Sequence, residues 1–232
     1  MLLRKQFQNS PTAARVAPFG VFLLLTFCQG QFDEDFRYGF YLLKTLVGAW
    51  LIWEMKPLVA EMRWAFSWEA VIVGVGVFVI WVGLDGFYPK LSELTTKIGF
   101  SKPEPTNLWN PHARYGEGSA LAWLLIATRI FGSTLVVPPL EEVFFRSWLY
   151  RYIVRADFQS VSLRYFALFP FVVTSVLFAF EHEQWLAGLL CGFIFQGLVV
   201  RKGRLGDAMT AHAITNFLLG VWVIWKDAWQ FW

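Results

Sequence analysis

Charged residues are scarce in this chain, with Asp, Glu, Lys and Arg making up 16% of 232 residues. Soluble domains carry about a quarter. So few charges argue against a water-solvated surface and for lipid as the solvent. Cysteine is nearly absent. Cys28 and Cys191 both stand in apolar stretches, which excludes a disulfide framework or a cysteine metal quartet, and both read as buried free thiols. The net charge is only +3 and scattered along the chain, which excludes a nucleic-acid-binding surface. Internal repeats and low-complexity tracts are also missing, so the chain reads as one domain.

What fills the chain is apolar. Apolar residues reach 56%, aromatics 19% including thirteen Trp, and mean hydropathy is +0.47. Trp50, Trp53, Trp64, Trp68, Trp109, Trp185, Trp225 and Trp229 fall at segment ends, where an indole suits the headgroup zone. Helix-length apolar runs occupy 17–28, 38–55, 69–87, 119–137, 139–154, 165–181, 185–200 and 208–226. Most approach the roughly 20 residues that cross hydrocarbon. The expected fold is therefore all-α, a polytopic membrane bundle of seven or eight transmembrane helices. Residues 1–118 would supply N-terminal helices and a polar loop, and 119–226 a helical core that carries the chemistry.

The polar loop is 88–118, with Pro89, Pro103, Pro105 and Pro111 and a short interfacial helix expected at 90–99. Arg4, Lys5 and Arg15 precede the run Val16 to Cys28, as in a signal peptide, but no small-x-small cleavage site follows. A retained anchor or first helix is expected. The basic N-terminus, the acidic Asp33-Glu34-Asp35 and the later Lys56 and Arg63 place the N-terminus in the cytoplasm. Segments 155–164 and 201–206 are both basic, and share a side only if 119–154 crosses once. The sidedness of the C-terminal half stays open at this point. Pro138-Pro139 predicts a break, with a helix beginning at depth and Glu141 and Glu142 in its first turn near free N–H groups. An ordinary kink is the plainer account.

Three polar clusters interrupt the apolar runs: Glu141-Glu142-x-x-x-Arg146, Phe178-x-x-x-His182 and His212-x-x-x-Asn216. Ionisable groups in hydrocarbon are costly and usually line a wet cavity where they act. Glu142 and Arg146 are i,i+4 and pair within the helix, whereas Glu141 points about 100° away and is freer to act as a general base. Phe178 lies one turn before His182 and stacks beneath it; an ordinary charged helix end facing the cytoplasm is the plain alternative, since Glu181 and Glu183 flank the ring. His212 and Asn216 share one face of a helix that Gly206-Asp207 starts and caps. They can donate to an oxyanion or simply bond helices together. Arg129 falls mid-span and either pairs with a carboxylate or lines a substrate route, and His112 has no assigned role. The string His182-Glu183-Gln184-Trp185-Leu186 lacks the second histidine of H-E-x-x-H. A G-x-S-G nucleophile is absent, and Gly206-Asp207 has no mate for a two-aspartate site.

The three clusters in this order, with Pro139 before the glutamates and Phe145-Arg146 after them, resemble the CAAX prenyl protease and bacteriocin-processing (Abi, CPBP) intramembrane endopeptidases, over about residues 119–226. The aromatic-rich N-terminal half resembles the prenyl-protease-related branch that accompanies bacterial exosortase systems. The resemblance implies that Glu141 and His182 activate water, Glu142 and Arg146 support them, and His212 with Asn216 holds the oxyanion. Ser147 stands where many relatives have Gly, which bears on substrate fit. No cofactor is favoured. If zinc were present, Glu141, His182 and His212 would be its ligands. The expectation is thus a multi-pass endopeptidase of a bacterial cytoplasmic membrane that cuts a membrane-associated peptide or protein and binds no nucleic acid. A non-catalytic scaffold or immunity-type binding protein, and a proton-coupled transporter, are the rival readings.

Overall fold

The computed structural model describes residues 2–100 and 108–232, and every described element is helical. Ten helices follow in order: α1 (Leu2–Asn9), α2 (Pro11–Gly30), α3 (Glu34–Met55), α4 (Trp68–Gly83), α5 (Leu91–Lys97), α6 (Pro111–Tyr115), α7 (Ala120–Val154), α8 (Leu168–Ala179), α9 (Trp185–Lys202) and α10 (Gly206–Lys226). By length and composition α2, α7, α9 and α10 can each cross a membrane, and α4 and α8 are shorter apolar helices. α3 has 22 residues, enough to cross, but carries Arg37, Lys44 and Glu54. The fold is a helical membrane bundle, as the composition requires.

The largest departure from the expected spans is α7. The runs 119–137 and 139–154 form one continuous helix of 35 residues. Pro138-Pro139 does not break it, because Gly132–Val136 just before widens into π geometry. There the Val137 N–H reaches back five residues to the Gly132 carbonyl. The prolines donate nothing, and the carbonyl thereby left over at Ser133 accepts from the Asn216 side chain of α10 at 2.8 Å. A neighbouring helix satisfies what proline leaves open, which is how membrane helices tolerate it. Glu141 and Glu142 therefore lie inside a helix and not at a fresh N-terminus. A second π stretch, Val143–Leu149, follows them directly.

α2 begins at Pro11, earlier than the apolar run, because the Ser10 hydroxyl caps it by accepting from the Ala13 N–H at 3.1 Å. It packs into the bundle, with Phe19 stacked on Phe144 of α7. Gly206 starts α10, but Asp207 does not cap it. The carboxylate is buried and instead pairs with Arg204 and accepts from the Ser67 hydroxyl. α4 and α10 approach closely at Gly74, where a Cβ would stand 2.6 Å from the Ala211 carbonyl oxygen. Thr215 Oγ1 donates to the Gly74 carbonyl across this contact at 2.8 Å. α9 ends at Gly203, whose φ of 68° is the left-handed closure that glycine adopts freely.

α5 forms the expected short helix in the loop, while Pro103 and Pro105 lie outside the described residues. Trp50, Trp53, Trp64, Trp68 and Trp225 are exposed, as membrane-facing indoles should be. Trp109 and Trp229 are not. Both are buried in an aromatic cluster with Tyr38 and Trp232, which draws the indoles inward. Cys191 is buried, whereas Cys28 is only partly covered.

The single crossing of α7 settles which loops are neighbours. Arg164, in the loop after α7, donates to the carbonyls of Arg201 and Lys202 at 2.8 and 3.0 Å. Glu61, after α3, pairs with Arg15 and Arg151 at 2.9 and 2.7 Å. The start of α2 and the loops 56–67, 155–167 and 203–205 thus meet at one end of the bundle. The opposite end joins 84–97, 180–184 and the C-terminus: the Leu91 N–H donates to the Glu183 carbonyl, and Trp185 Nε1 donates to the Pro89 carbonyl.

Candidate active site

The site is built on the α7 segment between the two π stretches. Glu142 is fully buried and Arg146 is 2% exposed. They pair at 3.3 Å as the i,i+4 spacing predicts, with the guanidinium 4.2 Å from the centre of the Phe178 ring. This pair is not, however, self-contained. Nδ1 of His212 lies 3.0 Å from the other Glu142 oxygen, and Nε2 of the same ring lies 3.9 Å from Glu141 Oε2. Two carboxylates about 100° apart on a helix can flank one imidazole because the ring nitrogens themselves diverge. Glu142 thus holds His212 as well as Arg146, while Glu141 approaches the far ring nitrogen without a hydrogen bond to it.

Because Glu142 is already committed to Arg146, its bond with His212 places the ring proton at Nδ1 and leaves Nε2 turned toward Glu141. His182 is oriented similarly. Its Nδ1 is 3.0 Å from the Phe178 carbonyl, an acceptor only, so Nδ1 is the donor and Nε2 is the lone-pair nitrogen. The rings of Phe178 and Trp81 fix its plane at 4.9 and 5.1 Å between centroids. His182 does not face the basic loops. It lies at the end of the bundle opposite the basic segments, next to Glu183 and the α5 start.

Glu141, His182, His212 and Asn216 all line one cavity of about 350 Å³. Its outer wall is made by Glu183, Gln184, Gln230 and Trp232, all at the end away from the basic loops. Within it Glu141 Oε2 is buried without a hydrogen-bond partner. One Asn216 donor is spent on the Ser133 carbonyl, so this residue bonds helices together as well as facing the cavity. Glu142 and Arg146 stand behind the wall. Among the described residues, no three His, Cys, Asp or Glu side chains group as metal ligands.

Three further groups line the cavity, and of these only Arg129 carried a sequence-based expectation. Lys44 lines the cavity from α3, and its place inside the apolar run Tyr41 to Trp53 was the signal that could have found it. Trp81 could not be told from a core aromatic. Arg129 has no carboxylate within ion-pair distance among the described residues. Its guanidinium lies over Tyr41, Trp109 and Trp232, so rings stand where a carboxylate partner was expected, and it lines the cavity.

Residues 120–218 match the protein family described as type II CAAX prenyl endopeptidase, Rce1-like. The match covers under half of the 232 residues. It nevertheless contains all three polar clusters, from Glu141 to Asn216, and supports a CAAX-type membrane protease family for this part of the chain. No curated protein and no solved structure matches significantly.

Proposed function

We propose that this protein is an intramembrane endopeptidase that hydrolyses a peptide bond of a membrane-associated substrate. The observation that carries the reading is the cavity in which Glu141, His182 and His212 converge, with His212 held between two glutamates. The family match over 120–218 supports the same reaction class.

In this reading Glu141 takes the proton of the attacking water, and the Nε2 lone pair of His182 binds that water from the outer side. His212, whose Nδ1–H Glu142 holds, accepts at Nε2 the proton that Glu141 took from water and passes it to the leaving amine. The remaining Asn216 N–H faces the developing oxyanion. Arg146 holds Glu142 in place, and so acts only through it.

The cavity mouth lies opposite the end where Arg15, Arg151, Arg155, Arg164, Arg201, Lys202 and Arg204 collect. Positive loops stay in the cytoplasm, so the active site opens toward the far side of the cytoplasmic membrane. A substrate would then be an exported or membrane-inserted chain, which accords with the exosortase-related branch that the N-terminal half resembles.

The test compares exported and membrane peptides by mass spectrometry in cells that carry the wild-type protein or Glu141→Gln. Products with new termini should vanish in the variant while the protein stays folded in the membrane at equal abundance. An unchanged peptide profile removes Glu141 as the base.

A further inference from the structure

The cavity has a second polar wall that the hydrolytic groups leave unused. Lys44, 5% exposed, lines it from the middle of α3. Its Nζ donates to the Thr26 hydroxyl at 3.2 Å and lies 5.0 and 4.7 Å from the centres of the Phe22 and Tyr41 rings. Arg129 lines the same wall from α7. Its guanidinium carbon stands 4.6, 5.0 and 5.4 Å from the ring centres of Trp109, Tyr41 and Trp232. Both cations thus lean on one tyrosine.

Aromatic faces hold a cation but do not cancel its charge. The other deeply buried cations of this protein are each matched by a carboxylate: Arg15 and Arg151 by Glu61, Arg146 by Glu142. Among the described residues neither Lys44 nor Arg129 has one within 4.0 Å. The carboxylates that line the same cavity, Glu141, Glu181 and Glu183, form no ion pair with either cation, so the two like charges repel each other, and charge inside a membrane persists where it serves a ligand or a pathway. An anion entering the cavity would relieve both.

We infer that Lys44 and Arg129 form an anion subsite that takes a carboxylate of the bound peptide. This deepens the peptidase reading and rests on the cavity being the peptide's binding place. A peptide suits the site better than a lipid headgroup does. Lys44 stands ten residues after Glu34 and eleven before Met55, about 15 Å from either end of α3 at the helical rise. Lipid phosphates lie at the helix ends and would have to sink to the bilayer midplane to reach it. The surrounding rings offer apolar contact to the side chains beside a peptide carboxylate. Arg129 precedes Glu141 on α7 and is nearer the mouth, so the carboxylate side of the bound segment points outward from the scissile bond.

Binding can be read apart from cleavage in Glu141→Gln protein reconstituted in phosphatidylcholine nanodiscs. The probes are an N-acetylated apolar hexapeptide as free acid and as C-terminal amide, and the amide carrying one internal Asp or Asn. A carboxylate-bearing probe should bind roughly tenfold tighter than its neutral twin, the order expected of a charge-assisted pair. The free-acid series reports a chain terminus and the Asp series a side chain, and either contrast supports the subsite. Lys44→Met and Arg129→Met should each erase most of the contrast while ligand-free thermal stability holds or rises, because an unmatched cation is gone. The contrast in the Glu141→Gln protein needs neither variant. Equal binding of acid and neutral probes in both series overturns the proposal, as does a contrast that survives both substitutions. Stabilisation by phosphatidylglycerol nanodiscs that depends on Lys44 and Arg129, without a peptide contrast, assigns the site to lipid instead. Cleavage lost in Glu141→Gln with no binding contrast would refute the subsite and leave the peptidase standing.

Discussion

Glu142 illustrates how one buried side chain can be read correctly in part. Its i,i+4 pairing with Arg146 was legible from spacing, and the pair forms at 3.3 Å. Its second partner, His212, is 70 residues away in sequence, and nothing local encodes that contact. The same limit applies to Asn216, whose spacing from His212 announces a shared face but not the Ser133 carbonyl that occupies it. Lys44 was visible as a charge inside an apolar run, yet only the fold shows that it stands beside Arg129. These contacts make Glu142 doubly necessary. Glu142→Ala leaves the Arg146 guanidinium buried without its counter-ion, a loss of about 3–5 kcal/mol by analogy with other broken buried pairs. It also frees His212 to take the wrong tautomer. Lower thermal stability in detergent should accompany a loss of turnover of roughly a hundredfold or more. Wild-type stability in this variant would refute the pairing.

The element that decides the site is α7, and here hydropathy misleads for a physical reason. Pro138-Pro139 is ordinarily a helix stop, because it removes two donors and crowds the preceding turn. The wider π turn at Gly132–Val136 relieves the crowding, and Asn216 of α10 donates to the leftover Ser133 carbonyl, so the helix runs on. No hydropathy window detects a donor on another helix. A π turn fits one residue of excess into a single turn, so everything after it keeps its rotational phase. One alanine inserted ahead of it, after exposed Phe131, should turn Glu141 and Glu142 about 100° from His212 and the cavity. Membrane insertion and helix content by circular dichroism should survive the insertion. Cleavage should not. Activity retained after this insertion would mean that the phase of α7 does not set the placement of the two glutamates.

Across the whole bundle, the apolar runs announced the helices, and the order of the three clusters announced the cavity. The vertical placement of the cavity was not legible, because loop charges gave conflicting sides until 119–154 proved to be one crossing. The resulting orientation is testable with Cys28→Ser/Cys191→Ser protein in intact cells. A membrane-impermeant maleimide should label Lys97→Cys, in the loop at the mouth end, and spare Ser162→Cys, in the basic loop. Labelling of Ser162→Cys alone would invert the molecule. At the basic end, Glu61 joins Arg15 of α2 to Arg151 and Ser147 of α7. Burial alone would raise its carboxyl, but Arg15, the Ser147 hydroxyl and Arg151 outweigh that and hold it below the ordinary glutamate range. Its folded value is below the unfolded one, so the stabilisation is complete above the unfolded value of about 4.3. It disappears as pH falls through the folded value. Thermal scans below about pH 5 should therefore show a steeper decline for the wild type than for Glu61→Gln, which should begin lower and stay flatter. Parallel curves would deny Glu61 this part.

α8 has twelve residues, which at 1.5 Å each reach about 18 Å, little more than half of a hydrocarbon layer about 30 Å deep. The polar turn that carries His182 therefore begins well beneath the lipid surface, and a bilayer that meets this rim must dip to meet it. In the proposed peptidase, such a dip would shorten the journey of a polar backbone from water to Glu141. The lipid itself, pinched thin at one spot, would be the vestibule through which a hydrophobic chain arrives already partly wetted.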